Sequence, residues 1–192
     1  LTKAISVLSD GLRAHPGDAG LVVERTDVLN EKAFGLLRSG NPEEALATFD
    51  TAAAGLPEAK LNAQTSPLIH RRHRELSLNA RSFRGEALLA AKRFPEAVTN
   101  YTTHLADVTA ACAAAPEDYQ LESLRLIALN RLADAHARLP NPPLDRMAEL
   151  WMQQEQGAAA LCAHDPANLY WKAEWGMAAL AVAHGADLKG DA

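Results

Sequence analysis

Residues 70–74 read His-Arg-Arg-His-Arg, the densest charge cluster in the chain. Such a run can hold phosphate, an acidic peptide or nucleic acid, which makes Arg71, Arg72 and Arg74 candidate anion contacts. The competing reading is a solvated, positively charged helix end. The formal net charge of the chain is −5, which argues against a general affinity for nucleic acid or anionic membrane. Neither interleaved aromatics nor charge spread along one face, the marks of a nucleic-acid reader, accompany the cluster. The solvated end is therefore preferred, with a local acidic-peptide contact as the minor alternative.

Cys162 and His164 lie close together in Cys-Ala-His-Asp, and Cys112 and His104 could join them around a metal. Zinc takes about four ligands, usually from paired short spacings such as CxxC or HxxxH, and neither of these occurs in the chain. Each cysteine stands four residues before a proline, Pro116 or Pro166. The two are read instead as small buried residues near the ends of equivalent helices, too far apart for a disulfide. Asp134 and His136 are two apart, so on a helix they face different directions and cannot polarise each other. No Ser or Cys nucleophile with a base, no phosphate-cradling glycine loop and no spaced carboxylate pair is present. The expectation is a non-enzyme with no metal site and no cofactor. Trp171 and Trp175 share a helix face, where burial in a seam competes with a role as exposed anchors; Trp151 belongs to the same question.

The elements that would carry these residues are helices. The chain has 39 alanines and 28 leucines against 10 valines and isoleucines together, a bias toward residues that lose little freedom in a helix. Pro16, Pro67, Pro116 and Pro166 are separated by 51, 49 and 50 residues. A small residue follows 17 positions later at Ala33, Ala133 and Ala183, and 18 later at Gly85. Seven beyond it stands a helix end: Gly40, Lys92, Pro140 or Gly190. This periodicity predicts a repeat. First helices are expected over 19–38, 68–91, 118–138 and 167–185, with apolar residues at spacings of three and four. Second helices are expected over 42–55, 95–114 and 143–163, opened by Pro42, Pro95 and Pro143. Asn41, Asn141 and Asp165 are candidate N-caps, and Gly40 suits a left-handed stop. Ala33, Gly85, Ala45 and Ala97 would let helices approach, with Phe49 and Tyr101 filling the gap one turn on. Residues 1–16 form an orphan second helix. The chain reads as a single all-α domain over 1–192, cut from something longer: about eight antiparallel helices in three and a half repeats, with units at 1–16, 17–66, 67–115, 116–165 and 166–192.

The spaced set Ala33, Gly40, Ala45, Phe49, Ala52 and Pro57 resembles the tetratricopeptide (TPR) repeat. The segment His-Asp-Pro-Ala-Asn-Leu-Tyr-Trp (164–171) is similar to the junction of a long-period bacterial subtype often joined to serine/threonine kinases and other signalling domains. Residues 139–143 depart from the pattern where a turn glycine is expected, as does the basic insertion after Pro57. The resemblance implies an α-α superhelix whose first helices line a concave groove for a peptide or protein partner. It implies groove positions at Asn30, Phe34, Ser82, Glu86, Asn130 and Asp134, joined by Leu180 and His184, with Asp27, Asn79 and Ile127 one turn earlier. Asparagines at such positions suit a groove that hydrogen-bonds a backbone; a merely solvated helix face is the alternative. The expected protein is a docking or regulatory module of a bacterial signalling protein, in the cytoplasm, whose partners include a covalently linked domain. The alternatives are a structural module that forms homo-oligomers through open repeat ends, and an anion or nucleic-acid binder working through residues 70–74. No membrane partner is expected, since no apolar run nears the ~18 residues a span needs.

Overall fold

The computed structural model describes residues 1–189, with side chains through Gly185. Among them are eight α-helices and no strand: α1 Thr2–Ala14, α2 Ala19–Arg38, α3 Pro42–Gly55, α4 Pro67–Ala90, α5 Phe94–Ala114, α6 Tyr119–Ala137, α7 Leu144–His164 and α8 Leu169–Lys189. A short 3₁₀ turn, Leu56–Glu58, follows α3. The bounds of α2 and α3 coincide with expectation, and the others move by a few residues. The expected stop at Gly190 lies outside the described residues. No described helix is long and apolar enough to cross a membrane.

Proline sets the turns. The backbone N–H of Asp18 donates to the carbonyl of His15, that of Asp118 to Ala115, and that of Asn168 to Asp165. Pro16, Pro116 and Pro166 therefore sit second in equivalent four-residue turns, where their fixed φ is already correct. Pro67 does not. It occupies the first turn of α4 behind a Ser66 cap whose hydroxyl accepts from the N–H of Ile69 at 3.3 Å. Its longer offset to the small residue carried that difference. The caps also differ from expectation. Asp165 closes a local turn by accepting from the N–H of Ala167, and Asn168 caps α8 by accepting from Trp171 at 3.2 Å. Pro143 holds the N-cap position of α7, with Asn141 outside the helix. Asn41 stands at the N-cap of α3 without a side-chain bond.

Two helices end alike. Gly40 (φ 76) and Lys92 (φ 60) are both left-handed, and the N–H of the next residue reaches back to Leu36 in one case and Leu88 in the other, each at 2.9 Å. Glycine tolerates that conformation; lysine is strained there.

The chain divides into two compact units, Leu1–Arg93 and Phe94–Ala192, with the boundary between α4 and α5. In the first unit α2 packs on α1, α3 and α4, and α3 packs on α4. Ala33, Ala45 and Gly85 are buried as expected. Phe34 of α2, Phe49 of α3 and Phe83 of α4 meet there, with centroids 5.0 to 5.9 Å apart. Leu56 of the 3₁₀ turn joins Val23 and Leu76 in a second apolar cluster. In the second unit α5, α6, α7 and α8 pack in sequence order. Ala97, Tyr101 and Ala133 are fully buried. A Cβ on Gly157 of α7 would come within 2.6 Å of Leu126 on α6, so a glycine permits that approach. Among the described side chains of α8 the covered small residues are Ala178 and Gly185, not Ala183, which is exposed. Gly185 lies against the Trp151 ring, which leaves no room for a side chain.

Candidate functional site

The residues of the expected groove are treated differently by their surroundings. Asn30 and Ser82 are buried. Phe34 is half-buried in the Phe49–Phe83 cluster and stabilises the core of the first unit. Packing covers the side chains of Asn30 on α2 and Ser82 on α4, and two rings meet that of Phe34. Asn79 is half-buried and its amide donates to the carbonyl of Glu75, on its own helix, at 2.9 Å. Glu86 is half-buried, and so is Asp134, whose carboxylate accepts from Arg138 one turn on at 3.3 Å. Of the groove asparagines Asn30, Asn79 and Asn130, the last is exposed. Its amide has one long contact, 3.5 Å, to the Oε1 of Gln154 on α7. Beneath it Leu129, Leu132 and Ala133 are buried, so the exposed amide stands on a packed helix. Leu180 and His184 of α8 are exposed.

The basic cluster is consumed locally. Arg72 forms a two-pronged bond to Asp27 on α2, at 2.6 and 3.1 Å, and also reaches Glu75. The carboxylates hold its guanidinium above its ordinary range, the bond to Asp27 contributing most. His73 bonds the carbonyl of Leu56 at 2.9 Å and His70 that of Asn62 at 3.0 Å. These bonds tie residues 56–66 to α4, aided by Arg25–Glu58 and by the N–H of Lys60 on the carbonyl of Gly17. Arg71 reaches Glu75 at 4.0 Å. The cluster therefore acts as an anchor for the insertion.

Cys112 is a half-buried thiol raised above its ordinary pKa by burial and then by Glu122, and Cys162 is a buried free thiol. Burial, with Arg146, holds His136 below the usual histidine range. Trp171 is half-buried with its indole N–H on Ser123 at 3.1 Å; Trp175 is exposed and bonds Glu155 at 2.8 Å.

Each unit also has an open cleft where a four-residue turn enters a first helix. In the first unit it measures about 700 Å³ at residues 14–20, with Lys60 and Ile69 on its far wall. In the second it measures about 670 Å³ at residues 115–120, closed by Asn168 and Trp171. Tyr119 stacks on His164 at 3.7 Å and stands 6.3 Å from Trp171, inclined by 56°. The sequence reading passed over this site. Its signal was an aromatic within three residues after two of the turns, Asp118-Tyr119 and Leu169-Tyr170-Trp171, where the first unit has Ala19-Gly20-Leu21. Comparison of the chain with family models, with curated proteins and with solved structures returned no match.

Proposed function

We propose that the chain is a non-catalytic interaction module, a TPR-like superhelix that binds a peptide or protein partner through polar side chains on its first helices. The observation that carries this reading is Asn130: an exposed amide with a single 3.5 Å contact, held on a helix whose other face is buried. A rigid helix loses little entropy when such a side chain binds, so its hydrogen bonds add to affinity. Asp134 lies one turn on, and Asn79 and Glu86 have the corresponding role in the first unit. Asn30, Phe34 and Ser82 support these faces from behind. The setting we propose is a docking domain of a larger bacterial signalling protein, in the cytoplasm, linked to a kinase or comparable domain.

Selection of peptides against the chain, followed by titration of the best binder, tests this. Asn130→Ala is expected to weaken binding about tenfold, the loss of one well-placed hydrogen bond, with an unchanged melting temperature. Full retention of binding by a variant with Asn79, Glu86, Asn130 and Asp134 all replaced by alanine would sink the reading. A second reading, self-association, is favoured by α8, where Leu169, Tyr170, Trp175, Met177 and Leu180 are exposed. Apolar patches of that kind are uncommon on a lone surface. A solution mass that climbs with concentration, and stops climbing in Met177→Glu/Leu180→Glu, is its signature.

A further inference from the structure

The seam between α6 and α7 is a template for two helix faces that the fold leaves uncovered. Pro116 and Pro166, 50 residues apart, sit in turns with the same backbone bond, which aligns α8 with α6. His15 and Asp165, 150 residues apart, close their helices alike, each N–H reaching back four residues, to Gly11 and to Leu161; this aligns α1 with α7. Burial agrees with both alignments. Ala128 and Ala135 on α6 and their counterparts Ala178 and Gly185 on α8 are all buried, as are Leu12 on α1 and Cys162 on α7. The differences fall on one face of each helix. Leu126, Leu129 and Ala133 are buried on α6, whereas the matching Gly176, Ala179 and Ala183 are exposed on α8. Gln154 and Gly157 are buried on α7, whereas the matching Ala4 and Val7 are exposed on α1. Within its own unit α8 packs on α7 alone, and α1 on α2 alone.

In the template seam the two faces meet at identified points. Leu126 fills the space beside Gly157, where a Cβ would come within 2.6 Å of it, and Asn130 touches Gln154 at 3.5 Å. Putting α8 in the place of α6 and α1 in the place of α7 exchanges the parts and keeps the fit. Gly176, where an added Cβ would meet nothing, then stands opposite Val7, so the side chain that fills the gap comes from the other helix. The polar pair becomes an apolar one, Leu180 with Ala4. Lys172 falls near the turn that carries Asp10, an exposed carboxylate held also by Arg13 of its own helix. A glycine weakens a helix interior, and nothing within one copy of the chain uses the space that Gly176 leaves.

We infer that the Gly176–Leu180 face of α8 docks the Ala4–Val7 face of α1 from a second copy of the chain, antiparallel, as α7 docks on α6. This rests on the self-association reading above and supplies its partner surface. The contact is head-to-tail, so each pair of copies keeps one α8 face and one α1 face free, and association continues past the dimer.

The test is the solution mass of the whole chain, followed by light scattering as concentration rises. The parent should exceed the mass of a dimer. Val7 and Leu180 are 60% and 67% exposed, so Val7→Glu and Leu180→Glu should each fold as the parent does, and each alone should stay monomeric. Mixed in equal amounts they should form a dimer that grows no further, because one variant keeps a working α8 face and the other a working α1 face. Gly176→Leu, which fills the space that Val7 takes, should weaken association about tenfold, as overpacking a close contact does. If Val7→Glu associates by itself while Leu180→Glu does not, α8 pairs with another α8: self-association stands and the head-to-tail inference falls. A mixture of the two variants that stays monomeric also overturns it. A parent mass that does not change with concentration sinks both the inference and the reading on which it rests.

Discussion

The two units build helical hairpins from the same turns but brace them differently. In the first, ion pairs join different elements: Arg72 to Asp27, Arg84 to Asp50, Arg93 to Glu43 and Arg25 to Glu58. Arg72 and Arg84 tie α4 to α2 and α3, and Arg25–Glu58 fastens the start of the insertion after α3. In the second, Arg125–Glu122, Arg138–Asp134 and Arg146–Glu149 each stay within one helix. Its helices are also linked through aromatic side chains, Tyr119 to His164, Trp171 to Ser123 and Trp175 to Glu155, and through the Asn130–Gln154 contact. Where a junction follows the four-residue turn, side-chain packing across it suffices. The irregular junction is held by Leu56 in its apolar cluster, by the bonds of His70 and His73 to backbone carbonyls and by Arg25–Glu58.

The comparison can be broken most forcefully at the two contact centres. Phe49→Ala should cost about 3–5 kcal/mol, the usual loss on emptying a buried ring site. Urea unfolding should show that loss in the transition of the first unit. Gly157→Ala should cost about 1–3 kcal/mol in the second, although alanine favours helix, because its Cβ would meet the buried Leu126 side chain at 2.6 Å. A neutral Gly157→Ala would mean that α6 and α7 can move apart.

The helix stops give a smaller effect of opposite sign. Lys92→Gly should raise stability by about 1 kcal/mol, by releasing left-handed strain. Gly40→Ala should lower it by a similar amount, since its added Cβ meets nothing and only φ opposes it. The smallest effect concerns charge. Arg72→Met should cost about 0.5 kcal/mol at low salt, as expected of a partly exposed pair, and less at 1 M salt, where such pairs are screened. The melting temperature of Leu150→Ala, a buried apolar change in the second unit, relative to the parent should not depend on salt. Equal salt sensitivity in both variants would remove the contrast between the units.

Much of the local structure was legible from single residues. Pro16, Pro116 and Pro166 mark equivalent turns because φ is fixed by their own ring, and Gly40 marks a stop because few other residues adopt that φ. Pro67 was misplaced in the series because proline also suits the first turn of a helix, and only the fold shows which use it has. Asp165 and Asn168 are both good caps by type; the turn around Pro166 puts Asn168 at the helix start. In the candidate groove set Asn30 and Asn130 carried the same signal in the sequence, and only packing makes one buried and the other exposed. Spacings of three and four define an apolar stripe, but polar residues at its margin are covered or exposed according to how far the neighbouring helix overlaps them.

By itself, then, the sequence determined an all-α chain of helical hairpins with most of its bounds and stops, because these follow from helix periodicity and from the backbone limits of proline and glycine. Tertiary structure decided which small residue of α8 meets Trp151, that the Arg72 cluster clasps an insertion, and that Tyr119 and Trp171 face one cleft. Those outcomes depend on distances between helices, and residues as far apart as 27 and 72, or 123 and 171, carry no mark of one another until the helices pack.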